Sequence, residues 1–161
     1  MEIRKIKTDE IDKLKYLFEH KDFDKYKNDV LNDLKSNIRD IYILIENEKL
    51  IGELTVYYKT SKQYETIDNI RVYLSAYRIS KEYRNKGLGQ KLLQYTITDL
   101  ENKGYTEFTI GAENNNANAR YIYQKFGFNK VIDRCIDNYD GNKYEYDLLL
   151  KSYNNKGDNY V

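Results

Sequence analysis

An α/β (α+β) fold around a central, mostly antiparallel sheet is what this 161-residue chain predicts. Three observations carry that expectation. Apolar residues switch along the chain between helical spacing and β-branched, aromatic runs. Helical stretches end on glycine, in a sequence with no proline to punctuate it. The length suits one domain and is too short for two full-sized ones.

The elements follow in order. Ile3 and Ile6 suit a short first strand. Thr8 reads as the N-cap of a helix with Ile11, Leu14 and Leu17/Phe18 on one face. A second helix fits residues 23–38, with Tyr26, Val30, Leu31 and Leu34 inward. The period then changes. Residues 41–45 form a strand, 47–49 a hairpin turn and 50–58 its partner. After a polar loop, residues 67–79 form a long strand. Simple alternation puts Ile70, Val72, Leu74 and Ala76 on one face and Arg71, Tyr73, Ser75 and Tyr77 on the other. Residues 87–103 form a helix that buries Leu88, Leu92, Leu93, Ile97 and Leu100 and stops at Gly104. A strand over 106–110 precedes a helix over 116–126, whose Ala119, Ile122, Tyr123 and Phe126 share a face ended by Gly127. Two strands, 128–136 and 143–150, close the order βααβββαβαββ. Residues 1–151 read as the domain and 152–161 as a polar, mobile tail.

Composition narrows the function. Leu, Ile, Val and Phe number 41, about a quarter of the chain, enough for a packed core. Eighteen tyrosines add rings that can be buried while their hydroxyls stay bonded. With 27 basic and 26 acidic residues the net charge is +1, which argues against nucleic acid as a partner. The lone cysteine, Cys135, and the lone histidine, His20, leave little for a disulfide, a metal cluster or a histidine triad. His20 reads as a surface residue at a helix end, and Cys135 as a buried, inert strand thiol. No apolar run approaches the ~20 residues that span a bilayer, and the first residues lack a signal-peptide core. The expectation is a cytoplasmic protein with no membrane partner and no metal.

The most informative stretch is Tyr83-Arg84-Asn85-Lys86-Gly87-Leu88-Gly89-Gln90, between a long strand and an amphipathic helix. First-turn N–H groups lack intrahelical partners and sit at the positive end of the helix dipole. With Arg84 and Lys86 they suit a phosphate cradle, although Gly-x-Gly after a strand also serves simply as a tight turn. The dinucleotide fingerprint and the phosphate-loop Gly-Lys-Ser/Thr pattern are both unmet. Downstream, Asn114-Asn115-Asn116-Ala117-Asn118-Ala119-Arg120-Tyr121-Ile122-Tyr123 opens a second helix, where the asparagines can cap it or face a ligand.

Together the two stretches resemble a known pair. Arg84-x-x-Gly87-x-Gly89, preceded by Ile79-Ser-Lys-Glu-Tyr-Arg, is similar to the acyl-CoA pyrophosphate loop of the GNAT superfamily of N-acetyltransferases. The run Asn116-x-x-Ala119-x-x-Ile122-Tyr123-x-Lys125-x-Gly127-Phe128 resembles its second motif. The element order is similar from end to end. The resemblance implies helices on both faces of the sheet and acetyl-CoA as cosubstrate. It further implies that backbone groups around Ile79 pair with the pantetheine arm. By the same carry-over, N–H groups from Arg84 through Asn85, Lys86, Gly87 and Leu88 to Gly89 bind the diphosphate. Asn116 then contacts the pantetheine or fixes its loop, and Tyr123 protonates the departing thiolate.

Those roles suit the chemistry. An amine of pKa ~10.4 must become neutral to attack, and a thiol of pKa ~8.5 must leave. Many relatives carry a carboxylate base where this chain has Ser75. Glu113, Asp68 and Glu65 are the alternatives, with a water chain to solvent. Tyr73, Tyr77 and Arg78 are candidates for the acceptor pocket, Arg78 for an anionic acceptor group or else a structural salt bridge. The expected activity is direct acetyl transfer in a ternary complex to a primary amine of unknown identity, a small molecule slightly favoured. The rival reading is a non-catalytic acyl-CoA sensor. A third, a module binding another nucleotide phosphate, is weakened by the second motif. The tyrosines are core or the surface of a homodimer.

Overall fold

The computed structural model describes residues 1–17, 22–139 and 141–153. Among them seven strands make one sheet: β1 (Glu2–Lys5), β2 (Arg39–Glu46), β3 (Lys49–Tyr57), β4 (Arg71–Ile79), β5 (Glu107–Glu113), β6 (Lys130–Tyr139) and β7 (Asn142–Ser152). Their spatial order is β1-β2-β3-β4-β5-β7-β6. Three α-helices are α1 (Phe23–Lys35), α2 (Leu88–Asn102) and α3 (Ala117–Lys125). Neighbouring strands are antiparallel except β4 and β5, which α2 connects by a crossover. The expected order of elements is met.

Helices cover both faces, so the middle strands are apolar on both sides. On β2, Tyr42 and Leu44 join the core under α2 and α3, while Ile41 and Ile43 join the core under α1. Tyr42 is fully buried, and its hydroxyl donates to Asp99 at 2.5 Å. Leu92, Leu93, Ile97 and Leu100 are buried along α2. Thr96 joins them, its hydroxyl satisfied by the Leu92 carbonyl at 2.9 Å.

Several boundaries differ from the sequence reading. The first helix is a 3₁₀ segment, Thr8–Tyr16, capped at Lys7 rather than Thr8. The Glu10 carboxylate accepts from the Lys7 N–H at 2.8 Å and from both Arg4 terminal nitrogens at 2.8 and 2.7 Å, tying the tight turn to β1. Helix α1 stops at Lys35 because Asn37 takes the left-handed conformation (φ 57°). Strand β4 starts at Arg71 because Ile67 and Arg71 close a turn on each other through Asn69 (φ 64°). Strand β7 runs on to Ser152, paired with Glu107, and the Tyr153 N–H reaches the Thr106 carbonyl at 3.3 Å. Phe128 is fully buried but precedes β6. Phe18, His20 and residues 154–161 lie outside the described residues. No described helix is long and apolar enough to cross a membrane.

Candidate active site

The site begins where the sheet opens. Parallel pairing of β4 with β5 runs from Arg71↔Glu107 to Leu74↔Ile110 and stops there. On its other edge β4 carries one extra residue: the register with β3 passes from Thr55↔Ser75 to Glu53↔Arg78, so Leu54 faces both Ala76 and Tyr77. Ala76 absorbs the bulge with a φ of 51°. The bulge inverts the alternation expected from the sequence. Tyr77 and Ile79, not Ala76, continue the Leu74 side and pack on the α2 core. Arg78 turns to the opposite face, its Nε 4.0 Å from a Glu53 carboxylate oxygen. Arg78 thus stands beside Glu53 and outside the lining of the cavity that holds Tyr73 and Tyr77.

Helix α2 starts beside this opening. Its N-cap is Gly87 at φ 77°, a left-handed conformation that costs glycine little. The first helical bond runs from the Lys91 N–H to the Gly87 carbonyl at 3.2 Å. The N–H groups of Leu88, Gly89 and Gln90 therefore lack intrahelical acceptors. No side chain caps them, and no acidic residue stands in the first turn. Such a terminus is complementary to an anion. At Gly89 a Cβ would fall 2.8 Å from the Tyr77 hydroxyl and 3.4 Å from Ile79, so this glycine makes room for Tyr77 over the helix start.

Ile79, Arg84, Asn85, Gly87, Leu88 and Gly89 line a cleft of about 750 Å³, together with Asn116 and Tyr123 from across the opening. Lys86 is the exception. Its ammonium lies 5.5 Å over the Tyr83 ring, outside the lining. Arg84 donates through Nε to the Ile79 carbonyl at 2.8 Å. Asn116 caps α3 by accepting from the Ala119 N–H at 3.0 Å.

A second cavity, about 460 Å³, adjoins the first, and Tyr77 and Tyr123 line both. Their ring centroids are 6.4 Å apart. Burial, with the Glu113 charge behind it, pushes the Tyr123 phenol up to about 12. This second cavity holds Ser75, Tyr73, Glu65 and Glu113. Glu65 is buried, and burial raises its carboxyl above the usual range. Asp68 is not with them: it lies with Asn69 and Lys59 in a separate hollow beyond the start of β4. Cys135 is half-buried on the edge strand β6, its thiol 3.6 Å from an Asp133 oxygen.

Sequence reading missed Glu53. Alternation along an apolar strand gave no sign that it is fully buried, yet both its oxygens lack hydrogen-bond partners. Burial outweighs the pull of Arg78 and Arg39 and raises its carboxyl to about 7. The contact with Arg78 is one of charge at 4.0 Å, not a hydrogen bond.

Comparison with known proteins places the chain. Residues 3–128 match the model of the Acetyltransferase (GNAT) family. N-alpha-acetyltransferase 30 of Schizosaccharomyces pombe is 30% identical over 87 residues, 54% of this chain and 55% of that protein, so the chain spans about half of that relative's length. A ribosomal-protein-alanine N-acetyltransferase from Brucella melitensis superposes with a TM-score of 0.76 at 14% identity, covering 94% of this chain and 99% of its own. A GNAT family acetyltransferase from Elizabethkingia anophelis, solved with acetyl-CoA bound, gives 0.65 at 21% identity over 94% and 97%.

Proposed function

The chain belongs to the GNAT acetyltransferase family, and on that premise we propose that it transfers an acetyl group from acetyl-CoA to a primary amine by direct attack. One observation carries the reading: two cavities of opposite charge meet at Tyr77 and Tyr123. The larger is lined by Arg84 and Lys125 and by no carboxylate. The smaller is lined by Glu65, Glu113 and Asp137 against one cation, Lys62. A polyanionic donor suits the first and an ammonium the second.

The donor brings an acetyl thioester; the chain supplies the rest. The unbonded N–H groups at the start of α2 bind its diphosphate, as Gly87 allows. The edge of β4 beyond Leu74, left without a strand partner by the splay from β5, is available to the pantetheine arm. Amine and thioester then meet at the Tyr77–Tyr123 junction, where holding them together lowers the barrier. As the C–N bond forms and the C–S bond breaks, nitrogen loses a proton and sulfur gains one. Glu65 and Glu113, both on the lining of the second cavity, are the candidates to take the first.

Tyr123 serves the sulfur in a limited way. With its phenol at about 12, full transfer to a thiolate of pKa ~8.5 is uphill by about 5 kcal/mol. Donating a hydrogen bond to the developing thiolate needs no such transfer. Tyr123 therefore stabilises the leaving group, and the final proton can come from solvent or the released base.

The test is thiol release with acetyl-CoA across a panel of amines, alongside calorimetry. Acetyl-CoA should bind at micromolar protein and release thiol only with an amine present. Absence of binding would sink the reading. Ser75, in place of the usual carboxylate, favours one alternative: binding without thiol release from any amine would mark the chain as a sensor.

A further inference from the structure

The acceptor cavity also says what kind of amine fits. At its outer end Lys62 from the β3–β4 loop reaches in. Its ammonium donates to the Tyr146 hydroxyl at 2.9 Å, stands 5.5 Å from the Tyr146 ring centroid and lies 3.7 Å from an Asp137 oxygen. Tyr144 completes the corner, its ring 5.9 Å from that of Tyr146 and its hydroxyl 3.5 Å from the same Asp137 oxygen. An alkyl ammonium held by a phenol hydroxyl and a carboxylate is thus already present, supplied by the chain itself. The cavity's formal charges, Glu65, Glu113 and Asp137 against Lys62, leave it two units negative. One reacting ammonium offsets only half of that.

We propose that the acceptor is an aliphatic diamine or longer polyamine: one amine reacts at the Tyr77–Tyr123 junction while a second, distal ammonium occupies the Tyr146–Asp137 corner in place of Lys62. The inference rests on the acetyl-transfer reading above. Lys62 is an exchangeable occupant. Its side chain and that of Asp137 are 48% and 46% exposed, and ion pairs so wetted are weak. Lys62 remains fully charged near neutrality, because the Tyr146 hydrogen bond and the nearby carboxylates raise its pKa. It therefore competes with an incoming cation and never attracts one. An acceptor bearing a carboxylate would meet a negative cavity and pair only with Lys62.

The experiment compares 1,4-diaminobutane with butylamine, γ-aminobutyrate and an alanine-initiated tetrapeptide, in wild type, Asp137→Asn and Lys62→Met. The diamine should exceed butylamine in kcat/KM by about threefold, the worth of one half-exposed cation–carboxylate contact. Asp137→Asn should bring that ratio toward one. Lys62→Met should lower the KM for the diamine about threefold by removing the competitor, a direction that a structural lysine would not give. A preference for the tetrapeptide or γ-aminobutyrate, equal use of butylamine, or a raised diamine KM in Lys62→Met overturns the proposal and leaves acetyl transfer standing. If no amine releases thiol, calorimetry of diaminobutane on the CoA-loaded protein decides. Binding weakened by Asp137→Asn upholds the subsite although catalysis fails, and no binding overturns it.

Discussion

The two cavities differ in how the chain builds them. The donor cleft comes mostly from two short stretches, 77–90 and 116–125, each at the start of a helix. Its anion complementarity is a property of backbone: a glycine cap, free N–H groups and a first turn without carboxylates. The acceptor cavity is gathered from β3, the β3–β4 loop, β4, β5, α3, β6 and β7, and its character comes from tyrosine rings and scattered carboxylates. One half of the site is local and chemically generic; the other is long-range and particular to this chain. Changes in the first should therefore act on binding of any acyl-CoA, and changes in the second on which amine reacts.

The largest effect expected is at Gly87. Gly87→Glu places a side chain at φ 77°, with open space around it, so the cost is conformation and charge rather than a clash. Left-handed strain of roughly 1–2 kcal/mol, with a carboxylate competing for the N–H groups, should weaken acetyl-CoA binding by about a thousandfold in calorimetry. Gly87→Asn tolerates the conformation and is neutral, so its loss should stay within about tenfold. Similar losses for both would mean that the turn, not its complementarity to an anion, matters.

This contrast also explains what could be read from the sequence. The glycine loop, Asn116 and Tyr123 sit in contiguous runs, and the structure gathers them, Lys86 excepted, because local sequence dictates local backbone. Helix and strand order was legible for the same reason. The bulge at Ala76 was not. It is one residue inserted into a pairing with β3, and nothing in Leu74-Ser75-Ala76-Tyr77 distinguishes it from plain alternation. With it went the facing of Tyr77 and Arg78 and the burial of Glu53. Asp68, three residues from Glu65 in sequence, proved to lie on another side of the molecule, because the Ile67–Arg71 turn separates them.

Glu53, which lines neither cavity, is the next test. The donor cleft has no carboxylate in its lining, whereas a fully buried one lies beside the bulge, raised from 4.5 to about 7. The folded protein holds that proton more tightly than the unfolded chain, so the contribution of Glu53 to stability is full below pH 4.5 and is lost as pH rises through 7. Between pH 5 and 8 the loss should be about 2–3 kcal/mol in denaturant unfolding. Glu53→Gln should flatten that slope while leaving acetyl-CoA affinity near wild type. A slope unchanged by the substitution would show that Arg78 already compensates the charge.

At the junction the two halves should separate in kinetics. Tyr123→Phe keeps the ring, 6.2 Å from Phe128, and removes only the hydroxyl. Turnover should fall about a hundredfold, within the range for removing one donor to a developing charge, with the KM for acetyl-CoA nearly unchanged. A change confined to KM would make Tyr123 part of the binding surface instead.

The smallest effect is the one that sorts the bases. Glu65 is buried and its carboxyl is raised by that burial, so if it accepts the amine's proton, activity must climb with pH through a limb above the ordinary carboxylate range. Glu65→Gln should remove that limb and lower kcat/KM by about tenfold, below the usual range for a general base because solvent can partly replace it. Asp68→Asn, in its separate hollow, should change neither. The pair is informative because sequence alone ranks the two carboxylates equally, and only the turn between them assigns one to the acceptor cavity. If Glu65→Gln keeps the limb and Glu113→Gln removes it, the base lies at the end of β5. A limb that survives both substitutions leaves the proton to water, and the acceptor side then contributes charge and shape rather than proton transfer.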